Sequence, residues 1–216
     1  RRYIDYVHIT AAETLGVEHR AGYYEQTGVI RDMFQSHMLQ LLALTAMEPP
    51  SVFEPERVRD ERVKVFRSLR PFPVEKLQEN IVLGPGIVDG REAPGYRQEP
   101  GVNPRSMIPT YARMKVFIDN WRWQGVPFFL TSGKRLAKKQ TQIVIQFKEV
   151  PHSMFRAFLG SGIEANRLTI GIQPDEVINL TFQTKQPGAA VCMQPVTMHF
   201  DYHKHYRGLF LDAYEK

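Results

Sequence analysis

The 216-residue chain predicts an α+β fold: a large, mainly antiparallel sheet with helices packed on one face. Three observations carry that expectation. The first part of the chain holds helical apolar runs. From Tyr111 onward, short β-branched and aromatic segments follow one another. The links between them are mostly too short for crossover helices, so neighbouring strands are expected to pair antiparallel. Hydrophobic residues make up 43% and charged residues 24%, an ordinary globular composition, and the whole of 1–216 is read as a single domain.

Arg2 to Thr10 (RYIDYVHIT) alternates and is rich in aromatic and β-branched residues, as a strand is. AETLGVEHRAGYYEQTG is a polar, glycine-punctuated connection. GVIRDMFQSHMLQLLALTAMEPP, Gly28 to Pro50, is rich in Leu, Met, Ala and Gln and reads as a helix. Thr27 or Gly28 stands at its entry, and Pro49 and Pro50 stop it because proline lacks an N–H and clashes with the preceding turn. On an α-helical wheel Ile30, Met33, His37, Leu41 and Leu44 form one stripe, widened by Phe34, Met38 and Leu42, so the helix is expected inside the domain with His37 part-buried. ERVRDERVKVFRSLRPF is a charged helix whose buried residues are Val58, Val63 and Phe66. ENIVLGPGIVDGREAPGYRQEPGVNPRS is a strand followed by a long Gly/Pro/Asn loop; no strand–turn–helix unit surrounds its glycines, so no nucleotide-binding loop is expected there. The remaining strands are YARMKVFID, VPFFLTSG, TQIVIQFKEV, RLTIGIQP, EVINLTFQTK and VTMHFDYHK. Leu168, Ile170 and Ile172 share one face, as do Met198, Phe200 and Tyr202.

The chain opens on a strand with no initiator methionine and closes on LFLDAYEK, which reads as the start of a helix; both ends are expected to be cuts within a longer protein. No secretory signal or membrane-spanning run is read. A lone Cys192 fits a reducing, cytoplasmic compartment. A net charge of +5 permits anionic ligands, and no basic tract, RGG run or zinc-finger spacing points to nucleic acid.

Several residues bear chemistry. His37 is either a hydrogen-bonded core histidine or a general base, since its ring titrates near neutral pH. Asp32, five residues earlier, lies well round an ideal α-helix from it. SGKRLAKKQ puts Lys134, Arg135, Lys138 and Lys139 in a turn between strands, either a phosphate-binding glycine turn or a basic surface turn. His199, His203 and His205 in HFDYHKHY are poorly spaced for one strand, His199 lying far from the other two, so no metal is expected. Trp121 and Trp123 flank Arg122, a setting for aromatic–cation stacking. Gln173, just past a strand, and Glu13, after the first strand, suit sugar hydroxyls.

YIDYVHITAAETLGVEHRAGYYEQTGVIRDMFQSHMLQLLALTAMEPP, VRDERVKVFRSL, GYRQEPGVNP, FIDNWRWQGVPFFLTSGKRLAKK, IVIQFK and LTIGIQPDEVINLTFQTKQPG together resemble, in order and over essentially the whole chain, the C-terminal domain of the glucose-6-phosphate dehydrogenase family. The resemblance implies oxidation of glucose 6-phosphate to 6-phosphogluconolactone with reduction of NADP, the first step of the oxidative pentose phosphate pathway. It implies that His37 is the base taking the proton of the sugar C1 hydroxyl while hydride leaves C1 for NADP. Asp32 and Glu13 match carboxylates that hold hydroxyls, Lys134 a substrate-binding lysine, and Gln173 a glutamine at the sugar. Lys139 matches the second basic position, with Lys138 beside it also able to serve. The resemblance further implies a homodimer formed through the sheet, and NADP held mainly by an N-terminal dinucleotide-binding domain outside this chain. The family's Arg-Ile-Asp-His-Tyr-Leu-Gly-Lys run is also outside it; that run orients the base. The alternative is a sugar-phosphate-binding and dimerisation module that turns nothing over. Three departures stand out: Ser36 where asparagine is usual beside the base, and Thr131 and Gly171 where arginines are usual. Those arginines resemble residues of a second, structural NADP site, so such a site is not expected here.

Overall fold

Strand β1 is Ile4–Ala12, and β2 to β4 are Ile81–Gly84, Ile87–Val88 and Arg91–Glu92. Strands β5 to β7 are Tyr111–Phe117, Pro127–Gly133 and Gln140–Phe147; β8 to β10 are Arg167–Gln173, Val177–Lys185 and Met193–Asp201. The helices are α1 (Ala21–Val29), α2 (Leu39–Ala46), α3 (Pro55–Arg67), α4 (Leu77–Asn80) and α5 (Tyr202–His205), with a π-helical segment, Ile30–Met38, joining α1 to α2. This computed structural model describes residues 2–84, 87–88, 91–92, 95–150, 152, 163–188 and 192–206. The helix expected at LFLDAYEK lies outside them.

The α+β expectation holds. An eight-stranded sheet runs in the order β10-β9-β8-β7-β1-β6-β5-β2, and β3 pairs only with β4. Every pairing in the large sheet is antiparallel except β1 with β6, which are parallel. This corrects the reading of the Lys134 turn. Strands β6 and β7 are neighbours in sequence but not in the sheet, because β1 lies between them with Ala12 opposite both Gly133 and Gln140. Residues 134–139 therefore arch over the C-terminal end of β1.

Period-two alternation sorts the strands onto a common apolar face. One register row joins Met114, Leu130, Ile9, Ile143, Ile170, Ile178 and Phe200 across successive strands. A second joins Val116, Phe128, Val7, Ile145, Leu168, Leu180 and Met198. The π-helical segment packs on β1 and β6. Val7, Ile9, Phe128 and Leu130 accordingly form the core with Phe34, Met38 and Leu42. Each such fully buried side chain stabilises the fold by about 1.5–3 kcal/mol. Trp123 meets Phe128 edge-on at 4.9 Å, donates Nε1–H to the Ala46 carbonyl (2.8 Å) and lies under the Arg122 guanidinium, 5.5 Å above its ring. The stacking expected of NWRWQG is therefore present on Trp123. The apolar rows continue beyond the core into β8, β9 and β10, where Met198 is 62% exposed.

The helical run departs from an ideal α-helix in two places. Gly28 breaks it with φ 58° and ψ 179°, a conformation essentially confined to glycine. A Cβ there would also stand 3.1 Å from Ile108 Cγ2. The sequence placed the helix entry at this residue; the structure keeps α1 ahead of the break and Ile30–Met38 behind it. Gly28→Ala is expected to lower unfolding stability by about 1–3 kcal/mol, read as a shift in urea midpoint at unchanged slope.

Behind the break, the ladder widens. Leu39 N–H bonds to Phe34 O, the five-residue step of a π-helix. The buried residues are Met33, Phe34, Met38, Leu42, Ala43 and Ala46, so the stripe advances by five between Met33 and Met38. His37 is thereby rotated off the stripe and is exposed, as is Leu44. The expectation of a part-buried His37 is corrected: it followed from applying an α-helical period to a π-helical segment. In α3 only Val65 is fully buried, while Val58, Val63 and Phe66 are half-buried, since the helix rests against α2 along a narrow contact.

Candidate active site

The C-terminal ends of β1, β6 and β8 and the start of β7 lie at one edge of the sheet. Two connections leave there. Residues 13–18 follow β1 and residues 134–139 follow β6. They are laced by the Glu13 N–H to Gly133 O (3.0 Å), Leu136 N–H to Glu13 O (2.9 Å) and Arg135 N–H to Leu15 O (3.1 Å). This lacing exists because β1 is inserted between β6 and β7, which forces each connection to cross the other.

A cavity of about 160 Å³ opens between them, lined by Glu13, Lys134, Lys139, Tyr24, Arg20 and residues 14–18. Lys134 donates Nζ–H to Glu13 Oε2 at 2.5 Å, with 11% of the lysine side chain and 36% of the carboxylate's exposed. Lys134 Nζ also sits 5.4 Å from the Tyr24 ring centroid. Lys138 and Lys139 are both exposed, and of the two Lys139 lines the cavity. The arrangement offers cationic donors for an anion or hydroxyl and carboxylate acceptors, the donor and acceptor mix of a polyol ester.

Asp32 and His37 stand on the π-helical segment, which packs on β1 and β6. At about 4.4 residues per turn, residues five apart lie within about 50° of each other, against about 140° in an α-helix. Asp32 and His37 thus share a side, which the α-helical wheel had separated. Tyr23 donates its hydroxyl to Asp32 Oδ1 (3.4 Å), and Ser36 Oγ donates to the Asp32 carbonyl (2.5 Å). Among the described residues nothing hydrogen-bonds the His37 ring. Tyr24 is the link between helix and cavity: burial first, then the Asp32 and Glu13 carboxylates, push its phenol well above the ordinary tyrosine range. Gln173 ends β8, paired with Thr141 two residues past Lys139, and is exposed at the same sheet edge without lining the cavity.

The structure therefore brings Glu13, Lys134 and Lys139 into one cavity, sets Asp32 and His37 on one side of the adjoining helical segment, and leaves Gln173 at the rim. The sequence reading missed Tyr24, Arg20 and Tyr23. Arg20 stacks its guanidinium 5.0 Å over the Tyr23 ring, which in turn reaches Asp32. Their sequence, RAGYY, gave no signal beyond aromatic content. The basic turn and Glu13 were visible separately, but their pairing spans 121 residues.

Thr131 and Gly171, where the resembled family usually has arginine, have their own local settings. Thr131 Oγ1 pairs with His8 Nε2 at 2.8 Å. A Cβ on Gly171 would lie 2.5 Å from the Asp175 carbonyl, so no longer side chain fits. Neither position therefore carries a cationic side chain.

A family model described as glucose-6-phosphate dehydrogenase, C-terminal domain, matches residues 1–216. The chain is 46% identical to a glucose-6-phosphate 1-dehydrogenase of Aggregatibacter actinomycetemcomitans, with all of this chain and 44% of that protein aligned. It is 45% identical to that of Mycolicibacterium smegmatis, over 99% of this chain and 43% of the relative. Among solved structures, a glucose-6-phosphate dehydrogenase in complex with its substrate glucose-6-phosphate superposes with TM-score 0.85 at 36% identity, over 97% of this chain and 42% of the other. The glucose-6-phosphate 1-dehydrogenase of Mycobacterium avium superposes with TM-score 0.79 at 33% identity, over 93% and 42%. The chain thus spans less than half the length of the relatives it matches.

Proposed function

Because the chain belongs to the glucose-6-phosphate dehydrogenase C-terminal domain family, we propose that it forms the sugar-phosphate side of an NADP-dependent glucose-6-phosphate dehydrogenase, as one domain spanning 1–216. The observation that carries the reading is the cavity in which Glu13, Lys134 and Lys139 converge. At about 160 Å³ it is smaller than the ~300–1,000 Å³ of a complete small-molecule pocket. It suits one part of a sugar phosphate, with the rest of the site supplied from outside these residues.

In this reading Lys134 and Lys139 meet the anionic substrate, and Glu13, Asp32 and Gln173 hold hydroxyls. His37 stands at the C1 hydroxyl and takes its proton as the C1–H bond gives up its hydride, leaving the lactone carbonyl. NADP supplies the hydride acceptor when bound. The exposure of His37 favours this role, since a base must reach a substrate outside the core. Asp32, one π-helical turn away, suits a hydroxyl at the neighbouring carbons.

Tested by itself, the chain is expected to bind glucose 6-phosphate without turning it over. Calorimetric titration with glucose 6-phosphate against glucose reads this directly. Heat with the ester alone supports an anionic-sugar site within the chain; equal heats with ester and glucose refute it, and no heat with either shows that residues outside the chain are required to build the site. A homodimer through β8, β9 and β10 is supported by the apolar register rows that continue past the helical layer. Sedimentation velocity of wild type against Met198→Lys checks it, with a shift to the monomer expected in the variant.

A further inference from the structure

Behind the Glu13–Lys134 cavity lies a carboxylate that does not itself line it. Glu99 follows the short helical turn Tyr96–Gln98, and only 4% of its side chain is exposed. Its Oε2 accepts the backbone N–H of Val17 (2.8 Å) and of Glu18 (3.3 Å), and its Oε1 accepts Nε–H of Arg135 (2.9 Å). One buried group thus ties together the two connections that wall the cavity. Gly16 makes the approach feasible, because a Cβ there would stand 2.4 Å from Glu99 Oε1.

Backbone strain points the same way. Among the described residues the non-glycine residues at positive φ are Glu18 (φ 47°) and Arg135 (φ 51°), and both are partners of Glu99. Such left-handed conformations are unfavourable for side-chain-bearing residues and persist where the surroundings over-determine them. Arg135 directly follows Lys134, and Glu18 closes the turn that begins at Glu13. Burial pushes the Glu99 carboxyl upward, but the Arg135 guanidinium and the Val17 and Glu18 amides outweigh it and hold it below the ordinary carboxylate range. The clamp is therefore ionised at neutral pH and its three bonds are charge-assisted.

We propose that Glu99 is a positioning residue for the sugar-phosphate site, fixing Glu13 and Lys134 relative to each other by clamping Val17, Glu18 and Arg135. The inference rests on the sugar-site reading above and adds to it a residue that does not touch substrate.

The test is steady-state kinetics of the full-length enzyme carrying Glu99→Gln or Glu99→Asp, with melting temperature measured alongside. An amide is nearly isosteric but presents a donor where donors already converge. Glu99→Gln is expected to raise KM for glucose 6-phosphate by about 10- to 100-fold, leaving KM for NADP unchanged and kcat within about twofold. Glu99→Asp, which keeps the charge, is expected to recover part of the loss. A lowered melting temperature with KM for the sugar phosphate unchanged overturns the proposal, since a purely structural clamp behaves that way. If Glu99→Gln does not fold, Arg135→Gln, at a half-exposed residue, reads the same coupling: a rise of about threefold or more in the same KM supports the proposal, and no rise overturns it. Wild-type enzyme that neither binds nor oxidises glucose 6-phosphate fails the sugar-site reading itself, and the role of Glu99 falls with it.

Discussion

His37→Asn in the full-length enzyme is expected to lower kcat by about 10²- to 10⁴-fold, the usual contribution of a general base, with KM for the sugar phosphate changed by less than about threefold. The melting temperature of the same variant is expected to stay near wild type. That pairing of outcomes follows from where the ring sits. His37 is exposed on the π-helical segment and contributes to no buried cluster. An exposed substitution away from caps and ion pairs typically changes stability by about 0.5 kcal/mol or less. A core histidine would behave oppositely: its loss would lower the melting temperature and leave the kcat of the folded fraction intact. One variant measured both ways separates the two readings that the sequence left open. Activity unchanged in a stable variant would remove His37 from the reaction.

The asparagine variant is more informative than alanine, because it keeps polarity and approximate size while removing the titratable nitrogen. Asp32 gives a second check. It shares a side of the segment with His37 only because the helical ladder widens there. Asp32→Asn is therefore expected to raise KM more than it lowers kcat if the carboxylate holds a hydroxyl. The Tyr23 hydroxyl that bonds it in the free protein would remain in place.

The strands were legible because alternation is local. Leu168 and Ile170 can be assigned to one face from spacing alone, and the register rows show them there beside Ile145 and Ile143. What joined the strands was not legible. The parallel pairing of β1 with β6 sets Ala12 against Gly133, and no local pattern encodes a contact so distant in sequence. That one pairing turns a presumed hairpin turn into an arch and brings Lys134 onto Glu13. The π-helical segment was hidden for a different reason. Apolar residues are dense enough between Gly28 and Pro50 to satisfy a period of 3.6 or a wider one, and only the ladder shows that Met33 and Met38 share the stripe. The candidate residues were thus found by type and by resemblance, whereas their mutual geometry came from pairings the sequence does not display. Glu99 is the extreme case: an acidic residue in a Gly/Pro loop, indistinguishable in sequence from a solvated one until its donors are seen.

Lys134→Ala carries the other large expected effect, and it falls on binding. The ammonium is nearly buried, held by Glu13 and placed over the Tyr24 ring. In the free protein Glu13 satisfies it; with substrate bound, the same ammonium would be shared with an oxygen of the ligand. Removing it deletes a hydrogen bond from a charged donor, a loss of about 1.5–3 kcal/mol, or about 10- to 150-fold in KM for glucose 6-phosphate. It also leaves the Glu13 carboxylate uncompensated in the cavity proposed to receive an anion, which adds repulsion in the same direction. The double variant Lys134→Ala with Glu13→Gln separates these contributions. If repulsion matters, the double variant binds better than Lys134→Ala alone. If Glu13 acts only by holding a hydroxyl, it binds worse. Lys138→Ala, at an exposed position outside the cavity, is expected to leave KM unchanged, while Lys139→Ala raises it. Equal effects at 138 and 139 would show that the connection contributes general positive charge and no defined contact. A Lys134→Ala enzyme with wild-type KM would remove the arch over β1 from the substrate site altogether.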